Sequence, residues 1–397
     1  MRERNPSAQA HGVPGREEGS NSAPQMGIRE SMASLPASMQ WVMTEWTGKA
    51  LPGQVPPFRW TPTMRFVVTI AMLMAGVGIT LTSLRLGGAA LLGIPIGWLL
   101  TVSAMRSFQV VYLHHASHGK FSEWLGDLLS LSIWIQPLQE YRAAHRIHHQ
   151  RTATKDDEDL ALLVLLGMLP GLSRREYWAL LIKTLVSWRF HGLYAWYRLE
   201  VNFGGRWKRA VSASIWTAVM AGIGLWTGCF WEILIAWLIP AWPLFHMAGL
   251  LSLLTEHTWV RQEGNGISAK ETISRMTSGR YFGERAPAQG AAWWVWAGWW
   301  FRMLGLHLPT KLLVVQGDQH SHDWHHRVPK GDWENAAYAR MESEGADIRG
   351  GWPPYAEVWG LSDALNSTFD ALGSLSKSSE LGMPSTYLSV RDALTEM

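Results

Sequence analysis

Histidines in this sequence are gathered at spacings that suit metal binding. Three short motifs carry them: His114 and His118 form the first motif, His145, His148 and His149 the second, and His322, His325 and His326 the third. On a helix, residues three or four positions apart share a face, so each motif can direct imidazoles toward one ion. Neutral imidazole binds iron, zinc, copper or nickel. Together the three motifs could hold two metal ions, whereas surface histidines without a shared role would not cluster in this way.

Composition narrows the chemistry further. Cys229 is the sole cysteine, which excludes a disulfide within the chain and a cluster held by several thiolates. Nitrogen and oxygen atoms must therefore supply the ligands of any metal. The formal net charge of +3 is too small to indicate a nucleic acid partner.

Four long runs without charged residues must position these motifs. Since about 20 helical residues cross the hydrocarbon core of a bilayer, each run is a candidate transmembrane helix. Short connections join the runs into two hairpins, and we expect an all-α integral membrane protein. Four buried helices of a soluble protein are the alternative, which the clean exclusion of charge disfavours. The predicted spans are residues 66–83, 87–105, 211–227 and 233–255.

The distribution of basic residues predicts the orientation. The two hairpin connections carry only Arg85, and the other basic residues lie outside them. The positive-inside rule therefore predicts that both termini and the central region are cytoplasmic. The second span could continue as a helix to His118. His257 follows the fourth span directly, so all the candidate ligands lie on one predicted side and could converge in a cytosolic helical cap.

Three regions are expected along the chain. Residues 1–57 begin polar and rich in Ser, Pro and Gly, and they are predicted to form a disordered cytoplasmic arm. Residues 58–335 should form the membrane domain, and residues 336–397 a cytosolic extension without an interpretable motif. Apolar segments at 124–137 and 160–169 are too short to span and are expected to lie in the interface or re-enter. The sequence holds 25 tryptophans, and the dense stretch at 291–300 favours an interfacial helix.

The motifs HHASHG, HRIHH and HDWHH, spaced around two hairpins, resemble the histidine boxes of the membrane fatty acid desaturase and hydroxylase superfamily. The resemblance covers roughly residues 60–335. It implies a non-haem diiron site with nine histidine ligands, and TEHTW, which resembles the additional Glu-His of alkane hydroxylases, would supply the ninth. The implied ligands are His114, His118, His145, His148, His149, His257, His322, His325 and His326.

The resemblance also implies an activity. Family members receive electrons from a separate ferredoxin, rubredoxin or cytochrome b5 with a reductase, and use O2 to remove hydrogen from an unactivated C–H bond. A lipid or acyl chain is the expected substrate. Hydroxylation of an alkane, a carotenoid or another apolar compound is the alternative. A non-enzymatic metal-binding membrane protein is a further alternative. The sequence disfavours it, because a transporter would carry its ligands inside the spans, and only His246 lies well inside a span.

Several neighbours of the motifs invite a supporting role. His115 is expected to hydrogen-bond near the site or to be merely polar, and His320 could orient a ligand. One member of the acidic run at residues 156–159 could accept a hydrogen bond from a ligand imidazole, and Asp159 is the favoured one. Glu256 could support a ligand or bind the metal weakly. Asp323 should face away from the histidines that flank it.

Overall fold

The computed structural model of the chain describes residues 27–154, 156–261 and 266–375. These residues are almost entirely helical. Two three-residue strands, Gly279–Tyr281 and Glu357–Trp359, form the one sheet among them. They pair in parallel, with Gly279 opposite Glu357 and Tyr281 opposite Trp359.

Four long helices are long and apolar enough to cross a membrane, and we number them in chain order. The first and second pack against each other as a hairpin, and the third packs mainly against the start of the fourth, Phe230–Ile233. The all-α fold with four candidate spans is confirmed, although each helix is longer than the uncharged run that predicted it. The four extend over Pro62–Leu86, Gly88–Ser117, Trp207–Thr227 and Phe230–Glu256.

The second long helix carries the first histidine motif past the membrane thickness. Its 30 residues correspond to about 45 Å at ~1.5 Å per residue, whereas the hydrocarbon core is about 30 Å thick. Its backbone changes type along its length, and π segments of this kind are frequent at functional sites. In order, the segments are the 3-10 turn Gly88–Leu92, the α-helix Gly93–Ser107, the π-helix Phe108–Leu113 and the α-helix His114–Ser117.

The fourth long helix delivers Glu256 and His257. Pro240 and Pro243 lack the backbone N–H that an α-helix needs, and two π segments occupy the middle of this helix. His257 then leaves the helix with an extended backbone. The segments are Phe230–Ile233 (α), Leu234–Leu238 (π), Pro240–Leu244 (π) and Phe245–Glu256 (α).

Shorter helices make up most of the remaining structure. Leu138–Arg151 carries the second histidine motif and His322–Arg327 the third. The other α-helices are Ile28–Ser31, Ala37–Thr47, Glu123–Ser132, Glu158–Leu165, Arg174–Leu185, Trp188–Phe203, Ala269–Met276, Trp293–Arg302, Leu308–Val314, Ala336–Arg349 and Leu361–Gly373. The 3-10 turns Met32–Ser34, Gly317–Ser321 and Trp333–Asn335 and the π segment Met303–His307 complete the described elements.

Two apolar cores hold the short helices to the long ones. One packs the second long helix, through Phe108 and Tyr112, against the segment around Leu129. The other joins Leu254 of the fourth long helix to Phe369 near the end of the described chain. These cores fix the ends of the second and fourth long helices, where the histidine motifs begin.

Part of the segment 1–57, predicted to be disordered, is helical: Ile28–Ser31, Met32–Ser34 and Ala37–Thr47 are helices. Met32 and Met43 are buried with Trp299 of the tryptophan-rich helix. The buried Arg29 donates hydrogen bonds to the Lys49 carbonyl oxygen and to the Thr44 hydroxyl. This core depends on a partner far along the chain, which local composition cannot reveal. Residues 1–26 and 376–397 lie outside the described residues.

Candidate metal centre

The nine histidines implied as ligands lie in two compact groups. Each histidine offers one ring nitrogen, and within each group these nitrogens all lie within 4.8 Å of one another. Four separate segments of the chain contribute, so this convergence is a property of the tertiary fold. Group A comprises His114, His118, His145, His149 and His325, and group B comprises His148, His257, His322 and His326.

The ring nitrogens inside each group face one another at about the spacing of ligands around an ion. In group A, the Nε2 atom of His145 lies 3.0 Å from His118 Nε2 and 2.9 Å from His149 Nε2. Group B repeats the pattern, with 3.0 Å between the Nε2 atoms of His148 and His257. Two nitrogens that each lie ~2.1 Å from one ion at right angles are about 3 Å apart. The spacing therefore suits a shared cation in each group.

The second and third motifs each feed both groups. His145 and His149, four residues apart, point to group A, while His148 between them points to group B. The third motif divides the opposite way, with His325 in group A and its neighbours in group B. The rings of His149 and His326, one from each group, lie 4.6 Å apart between centroids. The two groups are therefore adjacent.

Unsatisfied nitrogens support the fit to metal. Among the residues that the structure describes, neither ring nitrogen of the buried His114 has a hydrogen-bond partner. A buried polar atom without a partner is costly, and a metal ion would remove that cost for one nitrogen. Burial also holds the pKa of His145, His257 and His325 well below the usual range. These imidazoles are therefore neutral, which is the form that binds metal.

Asp157 orients His148, and the sequence had not singled it out. The His148 Nδ1 lies 3.3 Å from Asp157 Oδ1, and Asp159 Oδ2, the weakly favoured acceptor, lies at 3.4 Å. Asp157 is buried, whereas 46% of the Asp159 side chain is exposed. Burial by itself lowers the pKa of His148, but hydrogen bonding and charge from Asp157 outweigh it and raise that pKa to about 9. The detectable signal was the position of Asp157 as N-cap of the helix Glu158–Leu165.

Glu256 contacts a histidine of group B, and His115 contacts two carboxylates beside the centre. Glu256 Oε1 lies 3.0 Å from His322 Nε2, so this carboxylate can support the ligand or join it. The buried His115 lies outside both groups, with its Nε2 3.2 Å from Asp318 Oδ1 and its Nδ1 3.6 Å from Glu334 Oε1. Asp318 and Glu334 gave no sequence signal, because both lie far from His115 along the chain.

Two other histidines have partners outside the two groups. His320 donates from Nδ1 to the Gly317 carbonyl oxygen at 2.9 Å, and this bond serves its own turn rather than a ligand. His246, inside the fourth long helix, meets His191 of a neighbouring helix, with 3.4 Å between their Nδ1 atoms.

Trp333 covers group A, a role that the sequence did not reveal. Its ring is stacked on His114, with 5.2 Å between centroids and 4° between planes. It also lies 4.4 Å from the His325 ring. Since Trp333 is itself buried, it closes this side of the group to water.

A cavity of about 720 Å³ opens onto the histidines. His114, His145 and His148 form part of its wall, so both groups border it. The volume is in the range of small-molecule sites, which are ~300–1,000 Å³. Apolar side chains supply much of the remaining lining: Val110, Ile135, Leu162, Leu165, Leu193, Phe245 and Leu253.

The fold and the centre define a helical membrane protein with paired histidine groups beside an apolar cavity. The family model described as Fatty acid desaturase matches residues 89–337, which is more than half of the chain. The chain therefore belongs to the fatty acid desaturase family, as the histidine motifs predicted. No curated protein and no solved structure gave a significant match. Family membership indicates an oxidoreductase of the desaturase or hydroxylase type and implies an apolar lipid substrate. The family is known for diiron centres, and the two histidine groups could bind metal.

Proposed function

We propose that this protein is an O2-dependent diiron oxidoreductase that removes hydrogen from an unactivated C–H bond of a lipid or acyl chain. The observation that carries the proposal is the convergence of nine histidines into two adjacent groups beside an apolar cavity. A metal carrier would need no such cavity at its ligands, and this favours an enzyme.

Each group would hold one iron. Group A would supply His114, His118, His145, His149 and His325, and group B would supply His148, His257, His322 and His326. When bound and reduced, the irons would supply the activation of O2 and the power to attack a C–H bond. Neither group includes Cys229, the sole cysteine, and neutral imidazole suits iron.

The protein would hold these imidazoles rigidly and keep water away. Asp157 accepts a hydrogen bond from His148 Nδ1, which leaves Nε2 directed toward group B. Trp333 restrains His114 by stacking. Both His322 and His325 are nearly inaccessible to solvent. Such restraint fixes the positions of the ligand atoms before any substrate binds.

An apolar substrate would reach the cavity from the bilayer. The lining comes partly from the second and fourth long helices, through residues such as Val110 and Phe245. A flexible chain in this cavity would have a C–H bond within reach of both groups, because His114 and His148 share its wall. Positioning of that bond is the main contribution of the cavity to the rate.

We further propose the topology that the basic residues predict. Residues 58–335 would form the catalytic membrane domain, with the arm 1–57, the extension 336–397 and the histidine groups in the cytoplasm. The electron donor would be a separate ferredoxin, rubredoxin or cytochrome b5 with its reductase, because one cysteine cannot hold an iron–sulfur cluster. A cytoplasmic donor could then approach the centre.

Mass spectrometry of lipids tests the proposed reaction. The wild type and a His325→Ala control would be expressed in the same host with a co-expressed donor system, and total lipid extracts compared. A wild-type product with two hydrogens fewer than a host lipid establishes desaturation. A product with one added oxygen establishes hydroxylation, the alternative. Identical extracts from a host that contains a full range of lipids, a working donor and iron-loaded protein would contradict the proposal.

A further inference from the structure

Two buried arginines line the cavity that opens onto the histidines. Arg106 belongs to the second long helix and Arg198 to the helix Trp188–Phe203, and both border the cavity. Arg106 is 4% exposed and Arg198 is 1% exposed. Neither residue is among the candidate metal ligands. An apolar substrate alone gives no reason for two cations in this wall.

The two guanidinium groups lack acidic partners within the described parts of the chain. Arg106 donates to the Gln109 side-chain oxygen, and Arg198 donates to the Ala241 carbonyl oxygen. Among described residues, no carboxylate pairs with either, and Arg106 Nε and Arg198 Nη2 have no hydrogen-bond partner. Since a buried charge is costly unless it is paired, the pair of arginines has unused capacity to bind an anion.

Both cations also gather around one ring. The guanidinium carbon of Arg106 lies 4.9 Å from the centroid of the Phe245 ring, and that of Arg198 lies 4.8 Å from it. Since each guanidinium carbon lies within 5 Å of the same centroid, less than about 10 Å separates them, and these like charges repel each other. An oxyanion bound near both would offset this repulsion. Burial, the largest effect, and the charge of Arg106 lower the pKa of Arg198 to about 9, and the group still carries its charge at neutral pH.

Arg106 and the first histidine motif are separated along the second long helix. The carboxylates that border the cavity include Asp157, 3.3 Å from His148 Nδ1, and Glu256, 3.0 Å from His322 Nε2. Arg106 lies eight residues before His114 on the same helix. Eight residues correspond to about 12 Å along a helix axis. Val110 lies between them in the chain and also lines the cavity. Along this helix the cavity wall therefore runs from a guanidinium group, past an apolar side chain, to the first histidine motif.

We propose that Arg106 and Arg198 form an oxyanion site that binds the anionic end of the substrate, a single-chain amphiphile ending in a carboxylate or a phosphate monoester. The inference rests on the proposed function, since it specifies the substrate class of the same cavity. Guanidinium groups recognise both oxyanions through charge-assisted hydrogen bonds. With the anion held there, the apolar chain extends toward the histidines and its reacting carbon lies well away from the charged end.

Binding of matched ligands to metal-free, full-length protein in detergent tests the proposal. Radiolabelled hexadecanoate, hexadecyl phosphate and hexadecan-1-ol have chains of the same length and differ in charge at the end. The wild type should bind at least one oxyanion ligand about tenfold more tightly than the alcohol, the gain expected from a charge-assisted hydrogen bond. The tighter of the two oxyanions identifies the natural end group. Equal affinity for all three ligands would overturn the proposal.

Substitutions locate the preference. Arg106→Gln and Arg198→Gln, singly and together, should remove the preference for the oxyanion while leaving binding of the alcohol unchanged, which also shows that the cavity is intact. Arg198→Lys retains a charge and should retain part of the preference. Arg349→Gln, at an exposed arginine far from the cavity lining, is the matched control and should behave as the wild type. An unaltered preference in the double variant would exclude this site, and so would its loss in Arg349→Gln.

The measurement is independent of turnover. Because the protein is free of metal, the oxyanion preference can be absent while lipid oxidation by the loaded enzyme still occurs, in which case only this inference fails. A preference without any oxidation product would instead contradict the proposed reaction and leave the binding site standing.

Discussion

Arg340 and Asp323 form a buried ion pair that fastens the C-terminal segment to the third histidine motif. The Arg340 Nη2 lies 2.7 Å from Asp323 Oδ2, and the Arg340 Nε lies 3.0 Å from Asp323 Oδ1. Asp323 directly follows His322, and its carboxylate turns away from the histidines toward the helix Ala336–Arg349. The pair therefore holds the rotation of the motif helix, on which the division of its histidines between the two groups depends.

Removal of one partner from this pair should destabilise the protein strongly. Arg340→Gln leaves the Asp323 carboxylate buried without its cation, and we expect a loss of about 3–5 kcal/mol of folding free energy. Denaturant unfolding of the purified protein in detergent measures it. Arg349→Gln, at an exposed position of the same helix, should change the stability by less than about 0.5 kcal/mol. Equal stability of the two variants would show that the pair contributes little.

Asp157→Asn should weaken metal binding without unfolding the protein. Asparagine still caps the helix Glu158–Leu165, but it lacks the charge that orients His148 and raises the basicity of its ring. Loss of such a partner costs about 10–100-fold in metal affinity. Competition with a chelator measures the affinity, and Asp156→Asn, whose carboxylate pairs with Arg151 instead, serves as control. Unchanged affinity in Asp157→Asn would assign the orienting role elsewhere.

Acid should destabilise the metal-free protein. Burial keeps the pKa of His145, His257, His325 and His326 well below the usual range, whereas in the unfolded chain the value is about 6.5. The unfolded state then binds more protons, so stability falls as the pH drops below about 6.5. His148 has the opposite sign: its raised pKa of about 9 adds stability below pH 6.5 that is lost as the pH rises through 9.

Histidines with a lowered pKa outnumber those with a raised pKa, so the loss of stability in acid should dominate. Thermal unfolding of metal-free protein should therefore occur at lower temperature at pH 5.5 than at pH 7.5, both values being chosen about one unit from the free histidine pKa. A midpoint that is the same at the two pH values would contradict the buried neutral state of these imidazoles.

Filling the cavity should reduce turnover without removing metal. Leu193 lines the cavity from the helix Trp188–Phe203, and tryptophan at this position would occupy space that the substrate needs. We expect Leu193→Trp to lower the rate of product formation about tenfold or more with iron content unchanged, because a displaced substrate that loses about 1.4 kcal/mol of transition-state stabilisation reacts tenfold more slowly. Leu199→Trp adds the same bulk at a more exposed position of that helix. Equal activity of the two variants would place the substrate elsewhere.

The sequence predicted the parts of the centre that depend on local periodicity. Charge-free runs indicated four helices, and the four-residue spacing of His145 and His149 correctly placed both rings on one side. The division of the second and third motifs between two groups could not be predicted. It depends on the rotation of each short helix, and that rotation is set by distant contacts such as the Asp323–Arg340 pair.

Supporting residues escaped prediction for a related reason. Trp333 and Asp318 approach the centre only through tertiary packing, and neither has a local spacing that marks it. Local composition predicted disorder for the segment that contains the helices of residues 28–47. The prediction was wrong because these helices are buried against Trp299, which is distant in the sequence. Asp157 differed, because an aspartate before a helix is a recognisable N-cap, and only its second role toward His148 needed the structure.

Each of the two histidine groups is expected to hold one iron. Metal analysis of full-length protein purified from iron-supplied cells tests it most directly, with His325→Ala from group A, His148→Ala from group B and His11→Ala, which is outside the nine histidines, as control. We predict two irons per chain in the wild type and in His11→Ala, and about one in each group variant, with activity abolished in both. Two irons retained in His325→Ala and His148→Ala, or no iron in the wild type, would contradict the account.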